Sequence, residues 1–581
     1  MNHTFDVFIS GCGPVGLLGP TQQSRAFGIT PHTMEIFQHH GLTYRILQQS
    51  IACRGGTLFL NGKDMGDLHF DEFDAVFPQL TFLSQSKVEA ILVDEIEKIH
   101  GKIHWNTELI EYEQQKDCIV AQVKDHTSGK TFEVAAQYII GSDGCHSSIR
   151  KQNPTWTYEG NSIQSNFALA DFVLEGADIS RIRNRQVVFY HSKGASVLIP
   201  LPHEDDGDSV TMRMVSNLGT YATDHGAKVT HGTDNPREEL TLDQVKDLMD
   251  ERMNNLQVSI KRPIWLTFFN VNERMANGFR RGRAFIMGDA AHCHSPAGGQ
   301  GMNIGLQDAE NLAWKLSLAL NDESSDSEKL LDSYSIEREP IVRSVVDATG
   351  ILTRVAMSNS FVMSLARYAG LAVAYAVPPV RRILVNRILQ LDFTLGDSPI
   401  IAPPKPNERF LEQGGHSLKE TRALLSKDVT IAVERKTIFE ILEKWNNKHA
   451  VFWMITRQTW QQEPDVKLTN AFIDGISRYN SCRGFVFQST TQFATFDDFN
   501  STTQHKVVDY WIDTHAISSA DSLTSKLGLT AHLTDSKSKI PPAALVILRP
   551  DRYIAYSSLV STQLELDQAF TFMDSYLLQN Q

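Results

Sequence analysis

The sequence predicts an α/β chain of several domains, with an antiparallel sheet set between two strand–turn–helix segments. Three observations carry this. A short apolar strand, Phe5 to Ser10, feeds the turn Gly11-Cys-Gly13-Pro-Val-Gly16. A second, Ala284 to Met287, feeds Gly288-Asp289 and then an amphipathic helix. Between about 155 and 280 strand patterns follow one another with few helical ones. With 581 residues the chain exceeds a single core, and roughly two to four domains are expected.

The remaining elements follow from periodicity. Met34, Ile36, Phe37, Leu42 and Ile46 predict a helix over Thr30 to Leu47, and Ile91, Leu92, Ile96 and Ile99 predict another over Val88 to Ile99. Glu111 to Ile140 alternates as strands do. Phe167 to Leu174, Gln186 to His191, Ser196 to Leu201, Val210 to Val215 and Ile264 to Val271 predict the antiparallel sheet. Helices return from Asn303 to about Ala376. Ile401-Ala-Pro-Pro-Lys-Pro-Asn407 reads as a linker, because clustered proline favours extended chain. Beyond it, strands (Val451 to Ile455, Ala543 to Leu548, Ile554 to Ser557) alternate with helices (Leu468 to Tyr479, Leu566 to Leu578).

Composition narrows the partners. A net charge of −13 argues against nucleic acid, which favours a basic footprint. The six cysteines, Cys12, Cys53, Cys118, Cys145, Cys293 and Cys482, show neither CxxC nor zinc spacing, so no metal site is predicted and a reducing, cytoplasmic setting is expected. No secretory leader is visible at Met1 to Asp6, the Asn2 and Asn500 acceptor patterns carry little weight without one, and Gln579-Asn-Gln581 is no peroxisomal address. Phe361 to Val380 is the most membrane-like stretch. Arg367 and Pro378-Pro379 interrupt it, so it reads as a buried helix and not a span.

The segment from Arg283 to Lys315 says most about chemistry. Its strand delivers Asp289 to a sheet edge, and a Pro/Gly-rich turn leads to a helix with apolar positions Ile304, Leu306, Ala309, Leu312, Ala313 and Leu316. A carboxylate accepts hydrogen bonds from polyol hydroxyls, while the free N–H groups of a helix start favour anionic or polar atoms. A cofactor with a polyol chain and an electron-accepting ring suits both, and flavin is the natural one. Gly11-x-Gly13-x-x-Gly16 after a strand is a dinucleotide-binding signature. Gly141-Ser-Asp143-Gly144 to Arg150 repeats the strand, turn, helix pattern, with a helix starting at Ser147-Ser148.

Together these motifs resemble the FAD-dependent aromatic hydroxylases (group A flavin monooxygenases), specifically the phenol hydroxylase-like branch. The resemblance extends through Ser24-Arg25-Ala26, Thr33 to Phe37, Leu83-Ser-Gln85, Leu331 to Pro340 and Leu548-Arg-Pro-Asp-Arg-Tyr-Ile-Ala555. It implies an FAD-binding Rossmann-like domain with an inserted antiparallel-sheet substrate domain, plus a C-terminal thioredoxin-like domain lacking CxxC. The corresponding boundaries are 1–154 and 281–400 for the FAD-binding parts, 155–280 for the substrate sheet and 408–581 for the last domain. It also implies that Gly11, Gly13 and Gly16 take the pyrophosphate, Arg25 and Gln85 the ribityl and pyrophosphate region, and Asp289 the ribityl chain. Gly299, Gln300, Gly301, Met302 and Asn303 would face the pyrimidine side of the ring, where a positive helix end stabilises the reduced anion. Asp143 and Arg150 would serve FAD and incoming NAD(P)H.

The reaction so implied is hydroxylation of a small phenolic or aromatic substrate with NAD(P)H and O2, through a flavin hydroperoxide. Homodimers are an expectation of the family. Ionising the phenol needs a base or relay. Where phenol hydroxylase carries an acid after the Arg-Ala turn, this chain has Phe27, so Tyr190, His191 and Arg213 on the substrate sheet stand as replacements, against sheet packing as their ordinary role. His292 and His294 read as structural.

One segment departs from the family. Only eight residues separate Gly16 from Arg25, and Gly19-Pro20 interrupts any helix. The family places about 25 to 30 further residues there, including a second strand and the acid that holds the adenosine ribose. Glu35 falls near the expected distance but inside a helix pattern. The segment after the glycines therefore reads as deleted, by a skipped or misassigned coding segment, and weak FAD binding or poor folding is expected of the chain as written. Two alternatives stay open: a catalytically impaired flavoprotein-like scaffold, and the same flavin chemistry directed to epoxidation or ring-carbonyl oxygenation.

Overall fold

The computed structural model describes residues 3–580 apart from 12–25, 71–74, 203–206, 219–222, 225–238, 296–298, 358–365, 367, 372, 374–375, 404–414, 420, 422–423, 428–432, 446, 457–462, 491–507, 517–518 and 531–541. It divides into two compact units. The first comprises Met1–Phe37, Leu42–Ala309 and Val342–Asp392, and the second Gln38–Gly41, Glu310–Ile341 and Phe393–Gln581.

In the first unit, the strand Thr131–Gly141 anchors a sheet. Its Tyr138, Ile139 and Ile140 are buried, as a run of apolar residues covered on both faces requires. His3–Ser10 pairs with it in parallel, from His3 opposite Val134 to Ser10 opposite Gly141. Ala284–Ile286 pairs with its C-terminal end, also in parallel, and Ile119–Asp125 with its N-terminal half, antiparallel. The two turns that follow Gly141 and Ile286 therefore leave the sheet side by side. Among the described residues His3–Ser10 has Thr131–Gly141 as its single strand partner, and Phe5 and Ile9 are 47% and 50% exposed. A first strand of alternating apolar residues is thus left at a sheet edge, the position from which the shortened segment would remove a neighbour.

The second sheet of this unit has nine strands and is larger than the sequence predicts. Tyr158–Gly176 and Val258–Ala276 each run 19 residues and pair along most of their length. Gly55–Leu60 and Lys63–His69 join it through a parallel pairing with Gln186–His191, a long-range contact without a local signature. One face is closed by the helix Leu242–Arg252, which the periodicity does not announce and which starts at a Thr241–Gln244 capping box. Its Val245, Leu248 and Met249 pack on Phe172, Met212 and Met214. The other face carries Val197 and Ile199 against Phe27, Phe82, Val385 and Leu389.

Two helical expectations are corrected. Thr30 to Leu47 forms two helices, Pro31–His39 and Thr43–Leu47, because Gly41 turns the chain at φ 69°. Phe361 to Val380 is not a buried helix at its described positions: Tyr368, Val373, Val377 and Val380 are exposed. The helix that continues there, Pro378–Leu389, buries only Val385 and Leu389, one i, i+4 stripe. No described helix is long and apolar enough to cross a membrane.

The second unit is built on a seven-stranded sheet. His449–Thr456 and Cys482–Thr490 are parallel and joined through the helix Glu463–Ile476. Ala543–Leu548 and Ile554–Val560 follow as an antiparallel pair beside them, and the helix Gln563–Asp574 closes the unit. Trp453 stacks on Phe472 with ring centroids 5.3 Å apart, and Phe570 and Tyr576 fill the same core. Most of the proline-rich linker lies outside the described residues; Ala402, at its start, donates its N–H to the Ala555 carbonyl.

Candidate functional site

Two acids leave the first sheet on neighbouring turns. Gly288–Ala290 forms one turn of 3-10 helix, with Gly288 at φ 56°. Gly288 and Ala290 are buried while Asp289 between them is exposed. That turn is pinned from behind. Asp308 accepts the Gly288 N–H at 3.1 Å and lies 2.7 Å from His292 Nε2, and both of these side chains are buried. His292 is thus tied to Asp308 through Nε2, while its Nδ1 is buried with no partner among the described residues.

The second turn carries Asp143. Its Oδ2 caps the next helix by accepting the Ser148 N–H at 2.7 Å. Its Oδ1 is buried and has no hydrogen-bond partner among the described residues. An orphaned carboxylate oxygen is costly unless something donates to it. Gly11 lies beneath this turn: a Cβ there would approach Asp143 Cα to 2.6 Å, and its φ of 96° also favours glycine. Gly11 thus serves close backbone approach. Gly13, Gly16 and Arg25 lie outside the described residues.

Arg150 is a strut. Nη2 donates to the Cys145 carbonyl at 2.6 Å and Nη1 to the Ala290 carbonyl, which ties the two acid-bearing turns together. Gln85 begins the helix Gln85–Lys98, accepts the Ala26 N–H at 3.3 Å and donates to Glu89 at 2.8 Å, so it holds the residue that follows Arg25.

At the start of the helix Gly301–Leu320, a Cβ on Gly299, at φ 64°, would meet no atom of the described residues within 4 Å. The first residues of the helix divide their work. Met302 packs with Ile29, Met34 and Phe37. Asn303 is fully buried, accepts the Thr30 N–H at 2.9 Å and donates to the carbonyls of Gly28 and Gly299. These side chains hold the helix start in place, and its first N–H groups have no carbonyl partner within the helix. Gln300 is buried.

The sheet register separates the three proposed catalytic residues. Tyr190 lies opposite Ala195, and Arg213 lies opposite Ile199. They share a face but stand four residues apart along that strand, about 13 Å at strand rise. His191 points to the opposite face, among Glu251, Arg252 and Lys193, and burial lowers its pKa. Arg213 makes a bidentate, buried ion pair with Asp171, both contacts at 2.7 Å, and its guanidinium lies 5.2 Å from the Phe27 ring and 5.6 Å from that of Trp265. Phe27 therefore roofs a paired arginine, next to Phe82 and Ile199.

Sequence reasoning passed over Glu273. Burial raises its carboxyl to about 6, Arg354 opposing and Asp347 adding to the shift. Its Oε1 is buried without a partner among the described residues, and Gly350 leaves it room, since a Cβ there would lie 3.0 Å from Oε2. It immediately precedes Arg274, which pairs with Cys293. An acid within an apolar strand run was the available signal.

Among the described residues, an acid oxygen without a partner, an exposed acid on a buried turn and a helix start make a set of donors and acceptors that fits a ligand with a polyol chain and a polar ring, as FAD has. The comparisons agree. The FAD binding domain family matches residues 17–349. The 6-methylpretetramide 4-monooxygenase of Streptomyces rimosus is 30% identical over 419 residues, 68% of this chain and 70% of that protein. The pentachlorophenol 4-monooxygenase of Sphingobium chlorophenolicum is 27% identical, over 61% of this chain and 65% of that protein. Among solved structures, the ternary complex of aklavinone-11 hydroxylase with FAD and aklavinone superposes with a TM-score of 0.65 at 16% identity, covering 99% of both chains. This chain belongs to the FAD binding domain family, among the FAD-dependent aromatic monooxygenases.

Proposed function

We propose that this protein hydroxylates a phenolic ring, with NAD(P)H as reductant and O2 as oxidant. Bound FAD supplies the redox chemistry, carrying electrons from the nicotinamide to oxygen and an oxygen atom to the ring. The observation that carries the reading is the pair of acid turns side by side, Asp289 exposed on one and, on the other, Asp143 Oδ1 with no partner among the described residues. Asp289 would accept from ribityl hydroxyls and Asp143 Oδ1 from a donor of the cofactor. The helix start at Gly301 would place partial positive charge beside the ring. Gly11, Gly13 and Gly16 would take the pyrophosphate, with Arg25 and Gln85 beside it; Arg150 would act through the turns it joins.

The substrate would lie against the sheet face that carries Arg213, under Phe27. That face is apolar around Val197, Ile199 and Phe82, which suits a flat aromatic and excludes water. Arg213, fixed by Asp171, would attract a phenolate and favour loss of its proton, the task for which a separate acid is missing at Phe27. Tyr190 is the remaining polar side chain assigned to that face; His191 belongs to the other. The C-terminal unit would be a thioredoxin-like domain, a reading supported by its parallel strand pair beside an antiparallel pair and its closing helix, and without CxxC it would stabilise or dock, not exchange disulfides.

The exposed edge of His3–Ser10 favours one second reading, a flavoprotein-like scaffold that grips the adenosine weakly and turns over little. Purified protein supplemented with FAD and offered a panel of phenols separates the two. Substrate-stimulated NADPH oxidation with a product heavier by one oxygen is expected of the enzyme. Flavin binding without any stimulated oxidation across the panel would establish the scaffold.

A further inference from the structure

Each of the three turns assigned to the flavin carries a cysteine: Cys12, Cys145 and Cys293. Cys12 lies outside the described residues. The other two meet, their thiols hydrogen-bonded to one another. Cys145 is half-buried in the Asp143 turn, and Cys293 is 1% exposed just beyond the Asp289 turn. The contact sits in a built frame. Arg150 donates to the Cys145 carbonyl and to the Ala290 carbonyl, and its guanidinium lies 3.7 Å over the Tyr158 ring. Tyr158 Oη in turn donates to Cys293 Sγ at 2.7 Å. A thiol pair held this way has none of the slack that makes surface cysteines react at random.

We propose that Cys145 and Cys293 form a redox modification site: hydrogen peroxide or an alkyl hydroperoxide converts the pair to a disulfide that fastens the Asp143 turn to the Asp289 turn. The significance for the cofactor rests on the reading that these turns hold flavin; the cross-link itself does not.

The two sulfurs have different tasks. The Cys145 hydrogen bond and burial hold the Cys293 thiol well above the usual thiol range, with Asp289 adding to the effect. Cys293 is therefore a poor first nucleophile, and the more accessible Cys145 meets the oxidant. Its sulfur attacks the peroxide, the O–O bond breaks, an S–O bond forms, and the departing oxygen takes up the thiol proton as water or alcohol. The Cys293 sulfur then attacks the sulfur of this sulfenic acid. An S–S bond forms, the S–O bond breaks, and hydroxide leaves as water with the Cys293 proton. In sum two thiols lose two hydrogens and the peroxide is reduced. The Tyr158 hydroxyl donates to Cys293 Sγ and stabilises charge developing on that sulfur in the second step. Such a disulfide in a reducing compartment is transient, which is what a sensing role requires.

The test is a non-reducing peptide map of the full-length protein before and after sub-millimolar hydrogen peroxide. The expected product is a Cys145–Cys293 cross-linked peptide that thiol reductant reverses. In Cys293→Ser, Cys145 stops as a sulfenic acid trapped by dimedone, and in Cys145→Ser, Cys293 stays unmodified at the same dose. Retention of both free thiols in the treated wild type would overturn the proposal, as would a cross-link from either cysteine to Cys12. Oxidation of Cys293 in Cys145→Ser would overturn the order of the two steps. The cross-link stands or falls on the peptide map; flavin content, read separately on the same samples, bears only on the cofactor.

Discussion

Two groups of acids in this molecule, one in each unit, are treated in opposite ways. In the second unit Glu337 is fully buried and fully engaged. It accepts from Arg549 Nη1 and Nη2, Lys315 Nζ, Asn311 Nδ2 and Ser398 Oγ, at 2.6–2.9 Å. Its carboxyl is held well below the usual carboxylate range by Arg549 and Lys315, which outweigh its burial. In the first unit Asp143 leaves one oxygen without a donor among the described residues, and Asp289 is lifted out of a buried turn. Two acids on adjacent strand–turn–helix motifs thus carry different meanings from an acid in a closed network. A saturated carboxylate holds structure, and an open one on a rigid turn waits for a ligand.

The comparison breaks first at Glu337. Glu337→Ala strands two buried cations, Lys315 and Arg549, and about 3–5 kcal/mol of stability should disappear. Denaturant unfolding of the purified variant reads this directly, and a loss within about 1 kcal/mol would mean the network relaxes onto Asp551 without cost.

Glu273 sharpens the contrast because it is buried like Glu337 yet has no cation in hydrogen bond with it among the described residues. Its folded pKa, about 6, lies above the ordinary value of 4.5. The folded state therefore binds the proton more tightly, so this residue favours folding below about 4.5 and loses that contribution as pH rises through 6. A shift of this size corresponds to about 2 kcal/mol. Glu273→Gln should remove that pH dependence: the stability difference between variant and wild type grows between about pH 4.5 and 6.5 in favour of glutamine. Parallel pH–stability curves for the two proteins would contradict the assignment.

A smaller effect tests the asymmetry within the flavin site. The ring and ribityl side has its acids and helix start, whereas the chain after Gly16 is short and His3–Ser10 stands at a sheet edge. FAD and FMN, which differ by the adenosine half, should bind within about tenfold of each other, or about 1.4 kcal/mol. A preference for FAD of several orders of magnitude would show that the adenosine is fully held.

The legible parts of this protein are those governed by local pattern. Ala284–Ile286 and the helix Gly301–Leu320 announce themselves by apolar runs and periodicity, and with them comes the exposure of Asp289 at the strand end. Strand pairing over long separations leaves no such mark, so the parallel docking of Gly55–Leu60 on Gln186–His191 and the opposed faces of Tyr190 and His191 emerge only in the fold. Hydrogen-bond commitments are equally hidden. Nothing local says that Arg150 is taken up by two backbone carbonyls, or that Asn303 joins Thr30 to Gly299. Apolar composition alone also misleads, as Tyr368 and Val373 show by their exposure.

The most direct test of the flavin assignment is equilibrium binding of FAD to wild type and to Asp289→Ala, followed by flavin fluorescence, with thermal unfolding of both apoproteins alongside. Because Asp289 is exposed on a turn held by Asp308, the variant should unfold within about 0.5 kcal/mol of wild type. It should lose about tenfold or more in FAD affinity, the worth of hydrogen bonds to a charged acceptor. Equal affinity in the two proteins would contradict the placement of the ribityl chain at Asp289.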